Sequence, residues 1–143
     1  MVALLLALTA CDDGADRLTS GDAIVGDSIP NPLAQINGDA EEGRAIFVDR
    51  ERGHCILCHQ IEGLDAPFQG DVGPDLSDIG MRLTTGQIRF RIVDASQLNG
   101  ETVMPPYYRT HDLRRVAPDY AGEPILTAEE IEHLVAYLAA LKG

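Results

Sequence analysis

An all-α domain of three to four helices wrapped around one large planar group is what this sequence predicts. Three observations lead there. Apolar residues recur at helical spacing behind three capping patterns, and no stretch alternates as a strand would. Aromatic residues are scarce, with three Phe, four Tyr and no Trp in 143 residues, so a core of this size needs another bulky filler. The segments between the helices are long and rich in Gly and Pro, and an α-domain with so much irregular chain needs something to wrap around.

The N-terminal stretch MVALLLALTAC reads as an export signal, residues 1–11. It is an apolar run too short to span a bilayer, and no Lys or Arg precedes it. Its end, Leu8-Thr9-Ala10-Cys11, resembles a bacterial lipobox, which implies an acylated Cys11 and a periplasmic, membrane-anchored protein; a plain secretory signal is the simpler alternative. Residues 12–37 carry Asp, Gly, Ser, Asn and Pro without periodicity and read as a flexible acidic tether. The domain proper then covers 38–143.

Within it, the first helix starts at Asp39, with Glu42 three residues on and Ala40, Gly43, Ile46 and Phe47 along one side. The second runs from Thr84, with Gln87 at the matching position, to about Ala95. Ile88 and Ile92 form its stripe, and Phe90 and Val93 fall off it. The third opens on Thr127 and Glu130 and carries Ile131, Leu134, Val135, Leu138 and Leu141.

The net charge of −12 argues against a nucleic-acid partner. It is uneven. Residues 82–115 hold six arginines against three acids, a basic segment in an acidic chain. Solvated surface pairs and a face that steers partners or anions are the two readings of that segment.

The segment HCILCHQ, residues 54–60, sets Cys55, Cys58 and His59 in the order Cys-x-x-Cys-His. A redox dithiol should follow a strand in a βαβ pattern, and here a helix precedes it. Structural zinc needs four ligands, and His54, His111 and His133 form no second pair. Haem attachment needs only what is present: two thiols for the vinyl groups of one porphyrin edge and an adjacent His for the iron. The reading favoured is one covalently attached haem c. Export fits it, and Cys11 is then the one cysteine left over.

For the second iron ligand the candidates are Met81, Met104, His111 and His133. Met104 is favoured. It sits in ETVMPPYY, where Pro105 and Pro106 stiffen a loop able to drape over the far face of the haem. Met81 reads as a core residue and His133 as solvent-facing on the last helix; His111, giving a bis-His site, is the rival.

With these features the chain resembles the class I cytochromes c. In that family a Gly and an aromatic four residues apart on the first helix pack against an apolar residue and a Tyr on the last. The matching residues are Gly43, Phe47, Leu134 and Tyr137. The resemblance also implies that Pro74, in VGPDL, lends its carbonyl to the His59 ring. A narrower resemblance, carried by VGPDLS, by LTTGQIRFRIVD and by TVMPPYYR, is to the SoxX family of monohaem cytochromes. It implies the electron-accepting subunit of a SoxAX complex, which joins thiosulfate to a cysteine of the carrier SoxYZ. Catalysis then lies on SoxA, and a soluble cytochrome c takes the electrons onward. No residue of this chain is expected to be catalytic. A free-standing, membrane-tethered electron carrier is the alternative.

Overall fold

The computed structural model describes residues 24–143. The signal, Cys11 and the tether as far as residue 23 lie outside the described residues. Four α-helices, α1 (Ala40–Val48), α2 (Ile79–Arg82), α3 (Thr85–Asp94) and α4 (Ala128–Ala140), are joined by long loops with short 3-10 turns. Among the described residues the sole β-type pairing is an isolated bridge between Val25 and Ser28.

The helices begin where local chemistry stops them from starting elsewhere. Thr84 and Gln87 close a full capping box at α3, and Thr127 and Glu130 close one at α4. At α1, Asp39 accepts from Glu41 N at 2.8 Å and Glu42 N at 3.1 Å. Glu42 does not complete the box: the Asp39 N–H goes instead to His133 Nδ1 at 2.8 Å. Hydrogen bonds from the Glu42 and Glu41 amides hold the Asp39 carboxyl below its ordinary pKa. The stability this cap gives is therefore present above the ordinary value and lost as pH falls through the lowered one.

α4 is the spine, and α1 crosses it closely. Gly43 makes that approach possible, since a Cβ there would overlap the His133 carbonyl and crowd Tyr137. One turn on, the Phe47 and Tyr137 rings meet with centroids 5.8 Å apart and planes tilted by 58°. Ile46, Phe47, Ile131 and Leu134 are sealed from solvent at this crossing. α3 packs on α4 from another side and is buried more completely than an amphipathic stripe allows. Ile88, Phe90, Ile92 and Val93 are all inside, and Ile88 and Ile92 line the crevice described below.

The segment before α1 corrects the expected tether. From residue 24 the chain is a strap laid across α3 and α4, with Ile29 and Leu33 each 2% exposed. Its backbone is held by side chains far along the sequence. The Arg89 guanidinium donates to the Ile29 carbonyl at 2.7 Å, and Leu33 N donates to Glu132 Oε1 at 2.9 Å. Arg89 and Glu132 meet fork to fork, at 2.7 and 2.8 Å, each residue 3% exposed. The Arg-rich segment is thus turned partly inward, and Arg89 belongs to no outer face.

A buried pair of this kind is costly to break from one side. Arg89→Met is expected to destabilise the holoprotein by about 3–5 kcal/mol, because Glu132 is left charged and unpaired. Arg89→Met combined with Glu132→Met should cost less than the sum of the two single changes. Urea unfolding of the four proteins measures both.

Candidate haem site

The chain leaves α1 at Val48 and turns sharply through Gly53 and His54, both in the left-handed region at φ 78° and 62°. Gly tolerates that conformation freely; at His54 it initiates the 3-10 turn Cys55–Leu57. Cys58 N and His59 N both donate to the Cys55 carbonyl, at 3.1 and 2.9 Å. The tight turn brings Cys55, Cys58 and His59 onto one wall of a crevice.

The chain then loops out and runs back beside this turn. Gly70 N donates to Ile56 O at 2.9 Å, Gly73 N to Cys58 O at 2.7 Å and Leu76 N to Gln60 O at 3.0 Å. This return places the Pro74 carbonyl 2.8 Å from His59 Nδ1. A carbonyl only accepts, so Nδ1 carries the proton and Nε2 is left with its lone pair for a metal. Gly73 is required beside it, since a Cβ there would overlap the imidazole. VGPDL contains this glycine as plainly as the proline, yet sequence gives no sign of a ring lying against it.

A second wall comes from the loop after α3. Tyr107 N and Tyr108 N donate to the Ile92 and Val93 carbonyls at the end of α3, each at 3.2 Å, which brings the loop over the crevice. Met104, its N–H 3.2 Å from Thr102 Oγ1, lines the same crevice as His59. The other ligand candidates do not. Met81 is 69% exposed on α2 rather than in the core. His111 is exposed, and His133 is not solvent-facing but holds the Asp39 amide at the start of α1.

The crevice has a volume of about 1490 Å³, beyond the ~300–1,000 Å³ usual for small-ligand pockets. Cys55, Cys58, His59, Pro74 and Met104 all line it, and the rest of the lining is largely apolar. Arg91 also reaches it from α3, half-buried and 3.6 Å from Asp27. A haem fits this donor set: paired thiols, an imidazole of defined tautomer and a thioether, all lining one crevice. A redox dithiol does not fit. Burial pushes the Cys55 thiol up to about 12, whereas reactive cysteines are exposed and acidified. Nor does structural zinc, for among the described residues no three His, Cys, Asp or Glu side chains gather as a metal site.

Among proteins of curated function none matches the sequence. The cytochrome c family model matches residues 40–142. Among solved structures, a chain of SoxXA from P. pantotrophus is 33% identical, with a TM-score of 0.76, covering 83% of this chain and 93% of that one. The c-type cytochrome SorU from Sinorhizobium meliloti is 30% identical over 73% of this chain and 91% of its own, at a TM-score of 0.45. The matched span contains the thiol pair, the oriented imidazole and Met104, and the chain belongs to the cytochrome c family and carries a covalently bound haem c.

Proposed function

We propose that this protein is the electron-accepting monohaem subunit of a SoxXA-type enzyme. The observation that carries the reading is the extent of the likeness to the SoxXA chain. It runs over 83% of this sequence, well beyond the attachment motif that all c-type cytochromes share. In this role Cys55 and Cys58 would hold the haem, His59 and Met104 would ligate its iron, and Pro74 would orient His59 through its carbonyl. When bound, the haem supplies a one-electron iron couple. With His59 and Met104 as its ligands the group would be tuned toward the ferrous state by the neutral sulfur, and would be suited to electron transfer rather than oxygen binding.

The reaction assigned to the complex balances as follows. A carrier cysteine thiol on SoxYZ and thiosulfate form one sulfur–sulfur bond, releasing one proton and two electrons. A one-electron centre would carry these singly, so this subunit must unload twice per bond formed, to a soluble cytochrome c. Bond formation itself falls to the SoxA-like partner: the described domain offers no spare thiol, since both its cysteines face the crevice. The same reading includes export to the periplasm, with Cys11 as the point of lipid attachment. Among the described residues no helix is long and apolar enough to cross a membrane.

The oxidised holoprotein should show the weak long-wavelength absorption of sulfur-ligated haem. Met104→Ala should abolish that band and open the iron to small ligands; a band that survives in the variant removes Met104 from the ligand set. Mass spectrometry of the mature N-terminus should find a diacyl- or triacylglyceryl Cys11, and Cys11→Ser should release the protein from membranes. A soluble mature chain starting elsewhere would refute anchoring and leave the electron-transfer role intact.

The function is tested by mixing the holoprotein with its SoxA-like subunit, SoxYZ and thiosulfate in a stopped-flow cell. Haem reduction should track the mass increase of the carrier, two electrons for each cysteine modified, and neither should occur without the SoxA-like subunit. Failure to associate with that subunit, together with fast electron exchange with a terminal oxidase, would establish a free-standing carrier instead.

A further inference from the structure

Tyr107 links the two walls of the crevice. Its side chain is buried and borders a small recess shared with Cys55, His59 and Met104. Its hydroxyl donates to the carbonyl of Gly53, two residues before the first haem thiol. Its N–H donates to Ile92 O at 3.2 Å, and its own carbonyl accepts from Leu126 N at 3.0 Å. One residue is thus held from the haem turn, from α3 and from the chain leading into α4. Burial raises the phenol pKa, so the hydroxyl stays a proton donor.

Two residues on, Arg109 Nε lies 3.1 Å from Asp94 Oδ2, and Asp94 is buried at the end of α3. Asp94 is itself fixed, accepting from Ser96 N at 3.1 Å and Gln97 Nε2 at 3.2 Å. Between Tyr107 and Met104 stand Pro105 and Pro106, each with its φ locked by the ring. A stretch with so few soft torsions passes the position of Tyr107 on to the Met104 side chain.

We infer that Tyr107 is a positioning residue for the axial methionine. Its hydroxyl bond to Gly53, seconded by the Arg109–Asp94 pair, holds Met104 against the iron and limits its displacement by outside ligands. The inference rests on Met104 being the ligand. A buried tyrosine that merely satisfies its hydroxyl would affect stability alone, so the test reads ligation.

The ferric holoprotein is titrated with imidazole, and the sulfur band and the melting temperature are recorded for the wild type, Tyr107→Phe, Arg109→Gln and, as a control, Tyr108→Phe. Tyr107→Phe should bind imidazole about tenfold more tightly, the scale of one buried hydrogen bond lost, and its sulfur band should weaken. Arg109→Gln should shift both in the same direction by less, and it decides the matter if Tyr107→Phe fails to fold. Tyr108→Phe should behave as wild type. Imidazole affinity within about twofold of wild type in both test variants would overturn the inference, whatever their melting temperatures. A wild type without a sulfur band would overturn it together with the Met104 ligation. Loss of the band in Met104→Ala alone, with Tyr107→Phe unchanged, would overturn only the positioning role.

Discussion

The close crossing of α1 and α4 at Gly43 is the constraint on which the haem site depends. Without a side chain at Gly43, the α1 backbone lies against the His133 carbonyl, and Phe47 reaches Tyr137. α1 ends at Val48, seven residues before Cys55. A chain that short, bent through two left-handed residues, carries the thiols to a place dictated by the helix crossing. The crossing packs helices on one side and leaves the other side open, and the loops close around that space. The scarcity of aromatics then has its physical counterpart: a crevice of about 1490 Å³ that the side chains leave unfilled.

Charge in this protein divides between inside and outside in a way its distribution along the chain conceals. Of the basic segment, Arg89 is paired with Glu132 in the core, Arg109 with Asp94 at the edge of the distal loop and Arg82 with Asp78 on the surface. The two buried pairs fix which elements touch more than they add to stability, because desolvation offsets much of the attraction. Arg89 is the clearest case: one guanidinium ties α3 to α4 and holds the strap by the Ile29 carbonyl. A docking face drawn from net charge alone would have included it.

The site is asymmetric in how its two walls are held. The His59 wall is built from one stretch of chain folded back on itself, and its bonds join residues within about fifteen positions of each other, as from His59 to Pro74. The Met104 wall is held by α3, by the turn before Cys55 and by the chain entering α4. Loops held at several distant points have little freedom to open.

What the sequence by itself determined is what depends on neighbours along the chain. Cys-x-x-Cys-His names the cofactor because its chemistry is local. The caps at Thr84 and Thr127 mark helix starts because side chain and amide are three residues apart. The family resemblance carried Gly43, Phe47, Tyr137 and Pro74 to their places, and the structure puts each of them in contact as that resemblance implies. Only the tertiary structure decided which polar residues went inside. Leu33 and Glu132 meet across 99 positions and Arg89 and Glu132 across 43, and no local pattern announces such partners. For the same reason residues 24–37 read as a solvated tether, Met81 as core and His133 as solvent-facing: burial belongs to the pair of surfaces that meet, and a sequence displays only one of them at a time.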